Sequence, residues 1–290
     1  MPEVRVVADG FSYLECPRWH DGQLFVSDFY THRVVAVAES GAVRTVAEVP
    51  QQPSGLGWLP DGRLLVVSMR DRKVLRQEPD GSLVQHADLS GLADWHLNDM
   101  LVDAAGRAYV GSFGFDLMSG AQPRTSTIVL VQPDGTASIA ADGLAFPNGM
   151  ALVDGGATLV VSESFGNQLG GFTVTPSGAL SGRRTWAGFG PPPASGAVEE
   201  VLGSLDVVPD GMSVADANNT VWVADAVGQR VIRVAEGGAI LDQVSTGELN
   251  VYACALGGSD GSTLFICAAP SFAEHERRDT RDAVLLAATV

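Results

Sequence analysis

Four oxygen-bearing side chains recur at equivalent places along the sequence, and together they could hold a metal ion. Each opens a similar segment, in which a short polar element leads into an apolar run, a tight turn and a second apolar run. The four residues are Glu15, Asn98, Asn148 and Asp210. Their oxygens form a hard donor set with two negative charges, which suits Ca²⁺ better than Zn²⁺, because Zn²⁺ favours His and Cys ligands. An ion held this way can polarise a carbonyl group as a Lewis acid.

Asn and Asp are also common in the turns that lead into strands, so each residue taken alone has a simple structural explanation. Four oxygen donors at equivalent positions of one repeat favour a shared ligand instead. We therefore expect a divalent ion, Ca²⁺ first, with Mg²⁺, Mn²⁺ or Zn²⁺ as the alternatives.

The segments that carry these residues form a degenerate repeat, and the repeat predicts the fold. Alternating apolar residues and two-residue turn signals indicate hairpins rather than helices. The copies start 39 to 62 residues apart, a spacing typical of a four-stranded propeller blade. We expect one all-β domain over residues 1–290, a six-bladed β-propeller. Its blades start at Glu15, Ser54, Asn98, Asn148, Asp210 and, in a looser copy, near Tyr252.

The sixth copy lacks the turn that closes the outer hairpin of the other five. The chain ends there in an apolar run, residues 283–290, and residues 4–8 at the N-terminus are the segment available to pair with it. We expect this N-terminal strand to complete the last blade and so remove an open sheet edge. In such a ring the starts of the first strands crowd the central channel, and the oxygen donors converge on the axis.

Composition excludes several functional classes. The chain has 290 residues, 46% of them hydrophobic, and a formal net charge of −16. An acidic surface repels phosphates, so we expect neither a nucleic acid nor an anionic membrane as a partner. Three cysteines make neither a disulfide framework nor a zinc cluster, and no apolar stretch is long enough to span a membrane. We expect a cytoplasmic protein that acts on a small molecule, and the oligomeric state stays open.

Four short motifs around the oxygen donors carry a resemblance to a known family. They are Glu15-Cys16-Pro17-Arg18-Trp19, Asn98-Asp99, Pro147-Asn148-Gly149 and Pro209-Asp210-Gly211-Met212. Together, and in this order, they resemble the SMP-30/gluconolactonase/regucalcin-like family. The resemblance implies a six-bladed propeller with one catalytic divalent ion, usually calcium, and lactone hydrolysis, with organophosphate esterase activity in some relatives. It also implies that Glu15, Asn148 and Asp210 are metal ligands, that Asn98 is a ligand or a substrate contact, and that Asp99 lines the substrate pocket.

Two departures and a group of aromatic residues bear on the substrate. Cys16 stands where the family usually has glycine, and we interpret it as a packing residue. His96 stands where sugar-lactone members often carry an arginine. It is either a hydrogen-bond donor or base in the pocket, or a structural histidine.

Loops after the second strands carry Phe113, Phe115 and Phe165, which either fill gaps between blades or form an apolar rim. Such a rim suits a carbonyl compound with a hydrophobic portion, so we expect an apolar lactone to be preferred over gluconolactone.

The sequence thus predicts a metal-dependent hydrolase that opens a lactone or a related ester. The ion would stabilise the developing oxyanion, and Asp210 or Asp99 would be the general base. A bound ion lowers the pKa of its own carboxylate ligand, which slightly favours Asp99 as the base. The alternatives are a non-catalytic binding or scaffold propeller, and phosphotriester hydrolysis or a strictosidine-synthase-like condensation at the same centre. We expect the proline-rich insertion at residues 188–196 to lie either over the mouth of the central channel or on the outer edge of the propeller.

Overall fold

The computed structural model describes residues 2–290. In this part of the chain, 24 β-strands form six antiparallel sheets of four strands each, arranged as the blades of a six-bladed β-propeller. Short helices occur only in the connections between strands. The fold class expected from the repeat is confirmed.

The strands follow the chain from blade to blade, except that β1 (Val4–Phe11) belongs to the sixth blade. Blade 1 contains β2 (Leu14–His20), β3 (Gln23–Asp28), β4 (Arg33–Val37) and β5 (Val43–Glu48). Blade 2 contains β6 (Pro53–Trp58), β7 (Leu64–Ser68), β8 (Lys73–Gln77) and β9 (Leu83–Asp88). Blade 3 contains β10 (Leu97–Val102), β11 (Ala108–Ser112), β12 (Ser126–Val131) and β13 (Ala137–Leu144).

Blade 4 contains β14 (Pro147–Val153), β15 (Thr158–Glu163), β16 (Gln168–Val174) and β17 (Leu180–Gly188). Blade 5 contains β18 (Pro209–Met212), β19 (Val221–Asp225), β20 (Arg230–Val234) and β21 (Ile240–Ser245). Blade 6 contains β22 (Asn250–Gly257), β23 (Thr263–Ala269) and β24 (Ala283–Thr289), with β1 as its fourth strand. The helices are α1 (Val198–Leu202), α2 (Glu274–Arg277) and the 3₁₀ helices Phe29–Thr31, Leu117–Ser119 and Asp154–Gly156. Within residues 2–290 no helix is long and apolar enough to cross a membrane.

The N-terminal strand closes the ring, as the sequence predicted. β1 runs antiparallel to β24, with Val4 opposite Ala288 and Phe11 opposite Ala283. The strand continues three residues beyond the segment expected from the sequence and ends at Phe11, which is buried. The first and last strands of the described chain are therefore held in one sheet.

The first strand of every blade contains one extra residue close to its beginning. In β10, for example, the three-residue step from Leu97 to Met100 faces a two-residue step in β11. The same irregularity recurs in β2, β6, β14, β18 and β22. Such β-bulges re-aim side chains and are frequent next to active sites. Because the first strands of adjacent blades contact one another around the axis, the six bulges form a ring around the channel.

Glycines allow the first strands to approach one another at this ring. A Cβ atom on Gly149 would collide with the backbone nitrogen of Met212 in the next blade. A Cβ atom on Gly211 would lie 2.5 Å from the Cβ atom of Ala253, again in the next blade. Larger side chains at these positions would push the blades apart, because neither backbone can yield without disturbing its sheet.

Three buried carboxylates tie the loops of this face to the blades. Asp28, Glu163 and Asp225 end the second strands of their blades, and each accepts a hydrogen bond from a backbone N–H just before the first strand. The donors are Ser12 at 3.0 Å, Ala145 at 2.9 Å and Val208 at 3.1 Å. Each carboxylate also pairs with an arginine, namely Arg33, Arg183 and Arg230. These acids are therefore satisfied structural groups.

Deletion of residues 2–11 should open the ring. The truncated chain exposes the edge of β24 and loses Phe11, whose removal from a core alone costs about 3–5 kcal/mol. At roughly 2–4 °C per kcal/mol, we expect the midpoint of thermal unfolding to fall by about 6 °C or more. Light scattering should show association that increases with concentration. Deletion of Pro2 and Glu3 alone, which precede the strand, is the control, and an unchanged midpoint and molar mass for the longer deletion would disprove the role of β1.

Candidate functional site

A cavity of about 80 Å³ lies where the first strands begin, and the oxygen donors found in the sequence line it. Glu15, Asn98, Asn148 and Asp210 all contribute to its wall, together with Ser164. These five side chains are between 4% and 7% exposed. Residues from four different blades are therefore brought together in one buried space.

The hydrogen bonds of the two asparagines use their amide nitrogens. Asn98 Nδ2 donates to the carbonyl oxygen of Pro147 at 3.2 Å. Asn148 Nδ2 donates to Ser164 Oγ at 3.3 Å and to the carboxylate of Asp210. Within residues 2–290 neither amide oxygen accepts a hydrogen bond, so both oxygens are available to a ligand in the cavity.

The two carboxyl groups of the cavity are buried, and neither forms an ion pair with a described residue. Burial raises the pKa of Glu15 well above its ordinary value, and repulsion from Asp210 raises it further. Burial likewise raises the pKa of Asp210, with an added contribution from the charge of Asp99. Tyr13 Oη donates to Glu15 Oε1 at 3.3 Å and the Cys16 N–H donates to Glu15 Oε2 at 3.2 Å, which offsets part of this cost. Among the described residues no Lys, Arg or His lines the cavity, so compensation requires a proton or a bound cation.

The chemistry of the donor set fits a hard cation. Within residues 2–290 no three His, Cys, Asp or Glu side chains converge as potential metal ligands. A metal ion in this cavity would therefore need the amide oxygens of Asn98 and Asn148 in addition to the two carboxylates. Ca²⁺ readily accepts such oxygens, whereas Zn²⁺ prefers nitrogen and sulfur.

Asp99 lies outside the cavity lining, although it directly follows Asn98. Its carboxylate is 2.6 Å from Nη2 of Arg18 and accepts the N–H of Met100 at 2.6 Å. Arg18 Nη2 also donates to the carbonyl oxygen of Met100 at 2.8 Å. Asp99 is only 1% exposed, and its carboxylate is already paired with Arg18. Of the two carboxylates considered as general base, only Asp210 lines the cavity.

His96 also lies beside the cavity and not in its lining. It faces an adjoining cleft that it shares with Gln52, Arg70 and Trp95. Its ring stacks on that of Trp95, with 5.0 Å between centroids, and burial lowers its pKa. A neutral imidazole packed on an indole in this cleft is consistent with a largely structural histidine.

Aromatic rings form one wall of the cavity around Phe146. The centroids of Phe113, Phe165 and Phe115 lie 4.5, 5.2 and 5.8 Å from that of Phe146. Phe113 and Phe165 line the cavity, as the sequence suggested, while Phe115 packs behind them. The loops after the second strands therefore do supply apolar surface to the site.

A second group of rings surrounds Tyr13. The centroids of Tyr252, Phe29 and Tyr30 lie 4.8, 5.3 and 5.9 Å from that of Tyr13. All four residues line the cavity. Burial raises the pKa of the Tyr13 hydroxyl well above its ordinary value, and the charge of Glu15 adds to this. The hydroxyl therefore stays protonated and keeps its hydrogen bond to Glu15.

Sequence reasoning missed several residues of the cavity lining, among them Tyr13, Phe146, Ser164 and Tyr252. Tyr252 could have been found, because it takes in β22 the bulge position that Asn98, Asn148 and Asp210 take in their blades. The other three precede first strands or follow a second strand, in loops whose course the repeat does not define.

In the connection between β17 and β18, no residue of the proline-rich insertion at 188–196 lines the cavity. Pro191 accepts a hydrogen bond from Asn167 at 3.1 Å, and Pro192 and Pro193 line shallow clefts outside the cavity. Leu202, at the end of α1, does line it. The prolines thus form the outer part of this connection, and α1 forms the inner part.

The family described as SMP-30/Gluconolactonase/LRE-like region matches residues 14–270. The chain belongs to this family. The match confirms the resemblance carried by the sequence motifs, and it runs from the first strand of blade 1 to the second strand of blade 6 in this SMP-30/gluconolactonase-like propeller.

Three individual relatives share between 18% and 25% sequence identity with this chain. The pentonolactonase of Haloferax volcanii is 25% identical over 273 residues, which are 93% of this chain and 86% of that protein. The structure of a gluconolactonase from Xanthomonas campestris superposes with a TM-score of 0.74 at 21% identity, covering 99% and 89% of the two chains. Regucalcin from Agrobacterium tumefaciens, a calcium-binding protein, gives 0.78 at 18% identity, covering 99% and 95%. At such identities the structural matches establish a common fold.

Removal of Arg18 tests whether Asp99 is part of a structural ion pair. Arg18→Met leaves a buried carboxylate without its partner, which typically costs about 3–5 kcal/mol. Urea unfolding should show this loss, and Arg18→Met combined with Asp99→Asn should recover part of it. Arg63→Met is the matched control, because Arg63 contacts Asp61 at the same 2.6 Å on an exposed surface and should matter little. Equal losses in the Arg18 and Arg63 variants would contradict this interpretation.

Proposed function

We propose that this protein is a lactonase that depends on a divalent cation, and that the cavity around Glu15 and Asp210 is its active site. The observation that carries the proposal is the convergence of two buried carboxylates and two free amide oxygens in a cavity without a basic side chain. Membership of the family and the pentonolactonase and gluconolactonase relatives support the reaction class. A non-catalytic scaffold gives no reason to bury these charges.

Glu15, Asn148 and Asp210 would hold the cation, and Asn98 would be a further ligand or a contact to the substrate. The hard donor set and the calcium-binding regucalcin relative support Ca²⁺. When bound, the cation supplies Lewis acidity that polarises the lactone carbonyl. Tyr13 and the Cys16 N–H hold the Glu15 carboxylate in place through their two hydrogen bonds.

Asp210 is the general base of the proposed reaction. Its carboxylate receives a proton from water as the water oxygen forms a bond to the lactone carbonyl carbon. The bond between that carbon and the ring oxygen then breaks, and Asp210 returns the proton to the ring oxygen, which yields a hydroxy acid. The Asn148 amide orients Asp210 by donating to Oδ1, and Ser164 Oγ holds that amide at 3.3 Å. The aromatic walls limit the entry of further water.

Asp210→Asn should lower kcat for lactone hydrolysis by about 10²–10⁴-fold, the usual contribution of a general base. The same assay on Asp99→Asn, at a temperature where circular dichroism shows it folded, should give less than a tenfold loss, because that carboxylate is paired with Arg18. A large loss in Asp99→Asn with a small loss in Asp210→Asn would assign the base to Asp99 instead.

Calcium should stabilise the chelator-treated protein, and the effect should depend on pH. A ligand at 100 times its dissociation constant adds about 2.7 kcal/mol, which calorimetry detects as a rise of several degrees in the unfolding midpoint. Because burial raises the pKa of both carboxyls, protons stabilise the cation-free fold at low pH and compete with Ca²⁺. The rise should therefore shrink as the pH is lowered from 8 to 5.

Glu15→Gln should lose most of this calcium-induced rise at pH 8, since it removes one of two charged ligands. Asp61→Asn, which changes an exposed carboxylate of the same charge, is the control and should keep it. If Glu15→Gln keeps the full rise, the ion binds elsewhere.

A further inference from the structure

We infer that the substrate is a lactone with an extended apolar substituent, such as an alkyl chain, rather than a polyhydroxylated sugar lactone. This inference rests on the proposed function and specifies its substrate class. Two observations support the inference. The cavity lining is apolar beyond the oxygen donors, and most hydroxyl groups in the lining already form hydrogen bonds within the protein.

The cavity is apolar away from its oxygen donors. Phe113, Phe146 and Phe165 line one wall, and Leu202 and Val208 continue it from the next blade connection. A cavity lined mainly by rings and aliphatic groups favours ligands with matching apolar surface.

Three of the four hydroxyl groups in the lining are already engaged by the protein, whereas Tyr252 Oη has no hydrogen-bond partner among residues 2–290. Tyr13 Oη donates to Glu15, and Tyr30 Oη donates to the carbonyl oxygen of Phe272 at 3.0 Å. Ser164 Oγ donates to the carbonyl oxygen of Pro209 at 2.8 Å. Beyond the oxygen donors, Tyr252 Oη is therefore the single unengaged hydroxyl that the described lining offers to a polyhydroxylated sugar. Each sugar hydroxyl left unpaired lowers kcat/KM by about 5- to 150-fold.

The basic side chains of the adjoining cleft lie outside the cavity lining. Arg70 and His96 line the adjoining cleft and do not line the cavity. Arg70 is already bound to Glu274 at 2.7 Å and to Gln52 at 2.9 Å. Neither group therefore belongs to the wall that surrounds the oxygen donors.

The mouth of the cavity presents apolar groups to solvent. Met118, in the 3₁₀ helix Leu117–Ser119, is 42% exposed, and Val227, in the loop after β19, is 50% exposed. Both line the cavity. Its internal volume of about 80 Å³ is far below the 300–1,000 Å³ that encloses a drug-sized ligand. A long substituent on the lactone ring must therefore extend through the mouth, where Met118 and Val227 would contact it.

The test is a chain-length series on one ring size. We would measure kcat/KM for δ-valerolactone, δ-octalactone, δ-decalactone and glucono-δ-lactone at one Ca²⁺ concentration, each normalised to its uncatalysed rate. Each buried methylene should raise kcat/KM by about three- to fourfold until the chain passes the mouth. Gluconolactone should be at least tenfold poorer than δ-octalactone.

Variants at the mouth of the cavity show whether Met118 and Val227 cause the dependence of kcat/KM on chain length. Met118→Ser and Val227→Ser should flatten the chain-length dependence, mainly through KM, so that δ-decalactone loses more kcat/KM than δ-valerolactone. Val214→Ser is the matched control, because Val214 is 62% exposed but does not line the cavity, and it should keep the full dependence.

The outcomes separate this inference from the proposed function. Faster normalised hydrolysis of gluconolactone, or no dependence on chain length, would overturn the inference while the lactonase proposal stands. If the calcium-loaded protein hydrolyses no lactone of either class, the proposed function fails and this inference fails with it.

Discussion

Two acidic side chains buried side by side at the propeller axis, Glu15 and Asp210, impose the constraint on which the rest of the site depends. Neither has a basic partner in the cavity, and burial makes the charged form of each costly. A protein keeps such groups only where a proton or a cation compensates them, since an unpaired buried charge is strongly destabilising. The same fold satisfies its other buried acids, such as Asp28 and Asp225, with backbone N–H groups and arginines. The contrast separates acids that hold loops from acids that are available for chemistry.

The backbone irregularity of the first strands makes this arrangement geometrically feasible. A regular strand directs its side chains alternately to the two faces of the blade, and a β-bulge changes these directions locally. The extra residue in β10 accompanies the separation of Asn98, which lines the cavity, from Asp99, which pairs with Arg18. Glycines such as Gly149 then let adjacent first strands approach closely enough for Asn148 to reach Asp210 in the next blade.

The apolar walls and the polar centre act together. Aromatic rings around Phe146 and Tyr13 limit the water around the oxygen donors, and electrostatic interactions are stronger in such an environment than in bulk water. This is the condition under which a bound cation and a single carboxylate can stabilise the charge that develops on a carbonyl oxygen. The same walls would restrict which substituents a substrate can carry, so in the proposed reaction one set of residues serves both catalysis and specificity.

The sequence by itself determined the architecture and the polar centre. Hairpin turn signals and the repeat are local properties of the chain, and they defined six four-stranded blades, the closing role of the N-terminal strand and the convergence of Glu15, Asn98, Asn148 and Asp210. Only the tertiary structure decided where Asp99, His96 and Phe115 lie. The bulge in β10 pairs Asp99 with a side chain 81 residues away, and His96 and Phe115 belong to loops whose course depends on contacts between blades. Tyr13 and Phe146 were missed for the same reason, because the residues that surround a cavity are chosen by packing across the ring and not by the spacing along one strand.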